Sequence, residues 1–296
     1  MPLISTEDTK LALEPIRPLY PFRTQRFALP GGALSYVDEG DGPPVVLLHG
    51  NPTWSFYYRR LIGGLRRAHR VIVPDHMGCG LSDKPQDYPY TLQTHIDNLT
   101  RLLAHLDLGP VDLVVHDWGG PIGMGWATRH PELVRRIVVL NTAAFLSPRL
   151  PLRIAVCRYP LVGDLIVRGL NGFVLGGTVM AVVHPLAPEV RYGYLLPYGN
   201  WHDRVAIQRF VRDIPMHPGH PTWAVVDGID RELVTLRNHP MLILWGGQDW
   251  CFTDHFLAGW LQRFPAAEAL RFDDAGHYVL EDAHEAIVPR VARFLS

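Results

Sequence analysis

The chain has 296 residues, of which 19% are charged, and its formal net charge is −1. A nearly neutral chain offers no basic field to attract a nucleic acid and no acidic tail, so nucleic-acid binding is not expected. Hydrophobic residues make up 47% of the sequence, which is enough for one large α/β domain with an inserted segment.

The cysteines, the N-terminus and the apolar stretches argue against a secreted or membrane-spanning protein. Cys79, Cys157 and Cys251 are widely separated, so neither a disulfide framework nor a metal-binding pair is predicted, and no metal or cofactor is expected. The N-terminus has no basic start or apolar core of the kind found in a secretory signal. The most apolar stretch, Phe173–Val183, has 11 residues, whereas a membrane-spanning helix needs about 20. We therefore expect a cytoplasmic protein that does not span a membrane.

Predicted strands and helices alternate along most of the chain. The first 20 or so residues carry Pro15, Pro18 and Pro21 and are expected to form an arm over the surface. Strand patterns occur at 27–39 (a hairpin around Gly31-Gly32), 44–49, 71–75, 111–115, 136–140, 241–245 and 269–272. Helical patterns occur at 91–108, from the end of the 111–115 strand to about 130, at 256–264 and at 283–295. Alternating strands and helices predict an α/β fold with a mostly parallel sheet covered on both faces.

The alternation stops between about 146 and 235, where nine prolines interrupt short amphipathic segments. We interpret residues 146–235 as a helical cap, inserted into an α/β core formed by residues 1–145 and 236–296. A cap encloses a site and excludes water, as a reaction on an apolar substrate requires.

The candidate nucleophile is Asp117, in the run V-H-D-W-G-G at 115–120. A strand, a sharp turn and a helix around a nucleophile form the elbow pattern G-x-S-x-G. Here Asp replaces Ser, and Val115 replaces the first Gly. An Asp between a strand and a helix is more often a helix cap, so the position alone does not identify a nucleophile.

Two later residues complete a set in the order nucleophile, acid, histidine, which is the chain order expected for this elbow. One strand pattern leads to Asp249, and the last leads to His277. A carboxylate that attacks carbon forms an ester; His277 would then activate the next nucleophile, and Asp249 would orient the histidine. Asp273, Asp274 and Asp282 are rival acids, but they lie too close in sequence to His277 for the usual arrangement.

Asn51 and Trp118 are candidates for binding a leaving group. In this fold the loop after the first buried strand and the residue after the nucleophile each supply one backbone N–H of an oxyanion hole. The side chains add an amide donor and an indole donor, which can hold a departing anion. A lone Asn here is more often a turn residue and a lone Trp a core residue, but together beside the elbow they favour a leaving-group site.

These residues resemble those of the haloalkane dehalogenases of the α/β-hydrolase superfamily. H-G-N-P-T-W-S at 49–55 and H-D-W-G-G at 116–120 are similar to that family's halide-binding and nucleophile segments. The resemblance covers nearly the whole chain, from Ala33 to Leu295, and is weakest in the predicted cap. It implies an α/β-hydrolase fold, in which the carboxylate on the elbow is the nucleophile.

The same resemblance assigns the remaining site residues. It implies that Asn51 and Trp118 are halide-type donors and that His277 is the base. One dehalogenase subgroup places its acid as a Glu where this chain has Asn141. Asp249 is therefore expected to serve as the acid, as in the third dehalogenase subgroup.

Further segments resemble the β-lactone decarboxylases of bacterial long-chain olefin biosynthesis, which are similar to the third dehalogenase subgroup. They are N-T-A-A-F at 141–145, P-Y-G-N-W at 197–201, R-F-V-R-D-I-P at 209–215, D-H-F-L-A-G at 254–259 and F-D-D-A-G-H-Y-V-L-E-D at 272–282. Several lie in the predicted cap, where substrate choice is made. The resemblance implies conversion of a cis-β-lactone to a cis-alkene and CO2, with other enzymes of olefin biosynthesis as partners.

Two enzymatic hypotheses use the same residues. In β-lactone decarboxylation, Asp117 could displace the ring oxygen at the β-carbon or attack the lactone carbonyl. In haloalkane hydrolysis, Asp117 would form an alkyl ester that water, activated by His277, then cleaves. Both predict an apolar small-molecule substrate, and the motifs do not separate them.

Two other functions remain open on the sequence. Epoxide hydrolysis also uses an Asp on a similar turn and needs cap tyrosines, for which Tyr192, Tyr194 and Tyr198 are available. Asn51 speaks against it, because the epoxide hydrolase family does not usually carry Asn in that loop. A non-catalytic binding protein with this fold would tend to lack members of the triad, whereas all three candidates are present.

Overall fold

Eight strands form one sheet in the computed structural model, which describes residues 13–296. They are β1 (Thr24–Leu29), β2 (Gly32–Glu39), β3 (Pro44–Leu48), β4 (Arg70–Pro74), β5 (Val111–His116), β6 (Val134–Leu140), β7 (Met241–Gly246) and β8 (Glu268–Phe272). The order across the sheet is β1-β2-β4-β3-β5-β6-β7-β8. The β1–β2 and β2–β4 pairs are antiparallel, and all later pairs are parallel. The prediction of a mostly parallel α/β sheet is therefore confirmed.

The helices lie between and beside these strands. They are α1 (Arg59–Leu65), α2 (Leu92–His105), α3 (Gly119–Ala127), α4 (Leu152–Val156), α5 (Gly172–Met180), α6 (Pro188–Leu195), α7 (Val205–Arg212), α8 (Pro221–Glu232), α9 (Asp254–Arg263), α10 (Val279–Asp282) and α11 (His284–Leu295). Helices α1 and α11 contact each other, and α2, α3 and α8 form a second group. Strands β5 and β7 are buried along their whole length, as in a parallel sheet covered on both faces.

Residues 141–240, between β6 and β7, contain helices and loops throughout. This insertion holds α4 to α8 and a π-helical turn, Asp164–Gly169. None of the helices in the described residues is both long and apolar enough to cross a bilayer.

The last helix of the insertion packs differently from the others. Helix α8 contacts the core helices α2 and α3, and Ile229 of α8 reaches Gly125 of α3. Asp230 of α8 also forms an ion pair with Arg263 of α9, with 2.5 Å between oxygen and nitrogen. We therefore propose a cap that ends before Pro221 rather than at 235, because α8 packs mainly on the core helices α2 and α3.

The expected N-terminal arm is described in part. Its residues 1–12 lie outside the described residues. Beyond them, Ile16 and Tyr20 are buried, and the Tyr20 hydroxyl lies 2.6 Å from that of Ser55. This part of the arm packs into the core rather than lying loosely on the surface.

A buried ion pair within the core is contacted by one side chain of the insertion. The guanidinium of Arg59 contacts both carboxylate oxygens of Glu281, at 2.5 and 2.8 Å, and the two side chains are 3% and 4% exposed. The Tyr194 hydroxyl, from helix α6, donates a third hydrogen bond to Glu281. The buried Glu281 carboxylate requires the Arg59 cation, because burial alone disfavours the charged form.

Substitution of Arg59 tests how much the fold depends on this pair. Arg59→Met leaves Glu281 buried without its cation, so we expect the free energy of unfolding to fall by about 3–5 kcal/mol. Urea unfolding followed by circular dichroism measures it. Arg231→Met, which breaks an exposed pair with Asp227, should change stability by less than about 1 kcal/mol. Equal effects of the two substitutions would contradict the assignment.

Candidate active site

Asp117 lies on a sharp turn between β5 and α3. Its φ is +49°, in the left-handed region that costs a non-glycine residue conformational energy. Helix α3 begins at Gly119, where a Cβ would overlap the carbonyl oxygen of Leu48 at the end of β3. The strained turn and the close helix approach are the geometry of a nucleophile elbow.

The Asp117 carboxylate is held by backbone donors. The N–H of Asn51 lies 2.5 Å from Oδ1, and the N–H of Trp118 also stabilises the carboxylate. Gly50 makes this approach possible, because a Cβ at that position would overlap the carboxylate. The two predicted oxyanion-hole amides are thus engaged by the nucleophile itself.

His277 and Asp249 lie behind the carboxylate. The His277 Nε2 is 3.7 Å from Asp117 Oδ2, and its Nδ1 is 2.8 Å from Asp249 Oδ2. The backbone N–H groups of Cys251 and Phe252 donate to the other oxygen of Asp249, at 2.7 and 3.0 Å. The structure therefore brings the three predicted triad residues together, with the His277 ring between the two carboxylates.

Asn141 lies beside Asp249, the predicted acid, and binds it. Its Nδ2 donates to Asp249 Oδ2 at 3.0 Å, and its Oδ1 accepts from the Gly246 N–H at 2.7 Å. Of the rival acids, Asp273 and Asp274 are exposed, and Asp282 accepts from backbone N–H groups, including that of Gly276. Only Asp249 among these candidates contacts the His277 ring in the described residues.

Burial and neighbouring charges shift the acid–base equilibria of the site. Burial raises the pKa of Asp117 above its ordinary value, against the opposing influence of His277 and the two N–H groups. Burial also acts to lower the pKa of His277, but the carboxylates of Asp249 and Asp117 outweigh it, so the pKa of His277 is raised. A histidine between two carboxylates retains its proton to higher pH than a free histidine.

A cavity of about 560 Å³ opens in front of Asp117. Asn51, Asp117, Trp118 and His277 all line its inner end, and Asp249 lies behind them. Most of the remaining wall is apolar and comes from the insertion, with Phe173 among its residues. Such a volume and lining are typical of a small-molecule site for an apolar ligand.

Three side-chain donors face this inner end. The Asn51 amide donates to the Ile207 carbonyl at 3.2 Å, which leaves its second N–H free, and its oxygen has no partner in the described residues. Neither the Trp118 indole N–H nor the Tyr278 hydroxyl has a hydrogen-bond partner in the same part of the chain, and both residues line the cavity. Tyr278 was missed by sequence reasoning, although it directly follows His277.

Gly177 makes room for the Tyr278 hydroxyl, since a Cβ there would lie 2.8 Å from it.

The three tyrosines considered for epoxide opening lie outside the cavity. Tyr198 donates to the Thr53 carbonyl at 3.4 Å, Tyr194 binds Glu281, Tyr192 is 43% exposed, and none of them lines the cavity.

The chain is similar to proteins of known families. Residues 43–179 match the model of the alpha/beta hydrolase fold. The cis-3-alkyl-4-alkyloxetan-2-one decarboxylases of Xanthomonas campestris and Shewanella oneidensis are 46% and 45% identical to this chain. Each alignment covers 94% of this chain, with 97% and 90% of the respective relative. The chain belongs to the α/β-hydrolase family.

Haloalkane dehalogenases are more distant relatives of this α/β-hydrolase. Haloalkane dehalogenase 2 of Mycobacterium tuberculosis is 33% identical over 92% of this chain and 95% of its own length. The crystal structure of the haloalkane dehalogenase DatA from Agrobacterium tumefaciens superposes with a TM-score of 0.83 at 30% identity, covering 92% of this chain and 96% of that one. The fold predicted from the sequence is confirmed.

Gly50 offers a test of how closely the site is packed. Gly50→Ala places a methyl group on the Asp117 carboxylate, so we expect the rate of alkylation of Asp117 by a long-chain bromoalkane to fall by about 100-fold. Mass spectrometry of the labelled protein measures it. Gly63→Ala is the control, because no atom lies within 4 Å of the added Cβ. An unchanged rate in Gly50→Ala would contradict the geometry.

The raised pKa of His277 leads to a second prediction. Its pKa lies above the ordinary 6.5, and Asp249→Asn removes the nearest carboxylate, so the pKa should fall. NMR titration of the imidazole measures both values, with His277→Gln to assign the resonance. A protonated His277 stabilises the fold below pH 6.5, and this stability is lost as the pH rises through the folded-state pKa. A pKa unchanged by Asp249→Asn would contradict this account.

Proposed function

We propose that this enzyme is a β-lactone decarboxylase, which converts a cis-3-alkyl-4-alkyloxetan-2-one to a cis-alkene and CO2. The observation that carries the proposal is the 46% identity over 94% of the chain to a protein named for that reaction. That alignment extends through the insertion, which forms most of the cavity wall. The dehalogenase relatives reach only 33% identity.

Asp117 would attack the β-carbon of the lactone. In serine hydrolases of this fold, two backbone N–H groups receive the oxyanion that forms on a substrate carbonyl. Here the N–H of Asn51 lies 2.5 Å from the nucleophile's own Oδ1, and the N–H of Trp118 also stabilises the carboxylate. This leaves Oδ2 to attack and favours displacement at a saturated carbon over attack at a carbonyl.

The ring oxygen would leave as a carboxylate. The free amide N–H of Asn51, the indole N–H of Trp118 and the Tyr278 hydroxyl all face the cavity and would bind it. Hydrogen bonds to a charged acceptor are stronger than those to a neutral one. Burial raises the pKa of Tyr278, so its hydroxyl stays protonated and acts as a donor.

Loss of CO2 would complete the reaction. The bond between the α-carbon and the carboxylate breaks, and its electron pair forms the double bond to the β-carbon. The β-carbon–oxygen bond to Asp117 breaks at the same time, and its electron pair returns to the carboxylate. Inversion on attack followed by anti elimination preserves cis geometry, and neither water nor a proton is consumed.

His277 and Asp249 would then serve mainly to position and stabilise Asp117. A protonated His277 offsets the negative charge that returns to Asp117 on elimination. Asp249 holds the imidazole in place through its Oδ2. An enzyme that forms the β-lactone ring must supply the substrate, and we propose such enzymes of olefin biosynthesis as pathway partners in the cytoplasm.

Haloalkane hydrolysis is the second candidate, because the donors that would bind a carboxylate also suit a halide. The 33% identity to a haloalkane dehalogenase over 92% of the chain supports it. Epoxide hydrolysis is disfavoured, because the three candidate tyrosines lie outside the cavity.

Purified enzyme should separate these activities. We expect a cis-3,4-dialkyl-β-lactone to yield cis-alkene and CO2, measured by gas chromatography, and 1,2-dibromoethane to release bromide far more slowly. Asp117→Asn should lower either activity by on the order of 1,000-fold or more, and Asp107→Asn, outside the cavity, should not. Release of bromide without alkene formation would favour the dehalogenase, and an active Asp117→Asn would overturn both proposals.

Tyr278→Phe tests the leaving-group site. The substitution removes one hydrogen bond to a developing carboxylate, so kcat for the lactone should fall by about 10- to 100-fold. Tyr192→Phe, on the exposed side of the insertion, is the control. An unchanged kcat in Tyr278→Phe would exclude the hydroxyl from the reaction.

A further inference from the structure

Exposed hydrophobic side chains are concentrated on one part of the insertion. In the described part of the chain twelve large hydrophobic side chains are exposed, and eight of them lie between residues 152 and 180. Leu161 is 82% exposed, Leu152 77%, Tyr159 65% and Leu170 65%. We call this region, residues 152–180, the apolar insertion surface. Isolated exposed hydrophobic residues are ordinary, but such a concentration marks an interaction site.

The backbone at Leu161 supports an external use for this surface. Leu161 has a φ of +63°, a left-handed conformation that glycine or asparagine adopts at lower cost. Its side chain is 82% exposed, so packing within the fold does not account for a leucine there. A partner that covers the side chain would account for it.

This surface is continuous with the mouth of the cavity. Leu152, Arg153 and Met180 line the cavity, and all three are also exposed to solvent. Arg153 lies 3.4 Å from the Met180 sulfur, and the Met180 carbonyl accepts the Trp250 indole N–H at 2.6 Å. The opening in front of Asp117 therefore lies among exposed apolar side chains and arginines.

The charges around the surface are basic. Arg149, Arg153 and Arg158 belong to it or adjoin it, and none forms an ion pair with a carboxylate in the described residues. Asp164 is the one acidic residue between 149 and 180, and it pairs with Arg212 at 2.7 Å. The surface thus combines exposed aliphatic side chains with uncompensated positive charge.

We propose that the apolar insertion surface binds the interface of an anionic phospholipid bilayer, with the cavity mouth turned toward the membrane. Acyl chains accept aliphatic side chains, while anionic headgroups attract arginines whose stems lie along the apolar boundary. The binding is peripheral and needs no membrane-spanning helix. The consequence for catalysis rests on the proposed function: a dialkyl lactone and its alkene would pass between bilayer and cavity without crossing water.

Vesicle flotation with the purified full chain tests the proposal. We expect the protein to bind vesicles of phosphatidylglycerol and phosphatidylethanolamine and to bind pure phosphatidylcholine at least about tenfold more weakly, because each basic residue near an anionic surface contributes to binding. Binding should weaken between 0.05 and about 0.5 M salt, since screening shortens the electrostatic range. Equal binding to both vesicle types, or binding to neither, would overturn the proposal.

Substitutions locate the contact. The double substitution Leu161→Glu and Leu165→Glu should reduce vesicle binding by at least about tenfold, because it removes two apolar side chains and adds two negative charges. Neither residue lines the cavity. Val234→Glu, 56% exposed and outside the surface, should bind like the parent. Thermal unfolding midpoints confirm that the variants are folded.

Self-association and activity without vesicles distinguish the remaining explanations. Self-association that the double substitution abolishes, without vesicle binding, would assign the surface to a second copy and overturn the proposal. Decarboxylation of a short-chain, water-soluble cis-β-lactone is measured in parallel without vesicles. If the parent enzyme does not decarboxylate this lactone, the result counts against the proposed function alone, because vesicle binding is measured independently of turnover.

Discussion

The carboxylate of Asp117 is held where two buried strands end, and the site is built around that constraint. Its φ of +49° forms the sharp turn between β5 and α3, and the absence of a side chain at Gly50 and Gly119 lets β3, the elbow and α3 approach closely. The Asn51 N–H then reaches Oδ1 at 2.5 Å. Because this backbone donor fixes Oδ1, the other oxygen is presented to the cavity in a defined direction.

The hydrophobic pattern of the sequence was sufficient to predict the elements around Asp117 and the chain order of the triad candidates. The strand, elbow and helix around Asp117 have hydrophobic periodicities that can be read from the sequence, and the order of Asp249 and His277 follows from topology. Tyr278 and Asn141 were not predicted as site residues, because their importance arises from contacts with distant segments, Gly177 and Asp249. Helix α1 was also missed, since Gly63 and Gly64 weaken its helical pattern.

The insertion was the least predictable region for a related reason. Its helices are short, prolines interrupt them, and their packing partners lie far away in sequence. Helix α8 illustrates this, because nothing local distinguishes it from the cap helices, yet it packs on α2 and α3. The same region forms most of the cavity wall and carries the apolar insertion surface. In the proposed reaction, the core sets which bond Asp117 attacks, and the insertion sets which molecules reach it.

The proposed reaction depends most on covalent attack by Asp117 followed by elimination rather than hydrolysis. The direct test quenches the enzyme during turnover of a cis-β-lactone in H2(18)O and measures the mass of the peptide that contains Asp117. The account predicts a fraction of this peptide carrying the whole lactone mass, with no 18O in the remainder. Incorporation of 18O into Asp117 during lactone turnover would contradict it, because water would then have cleaved the ester.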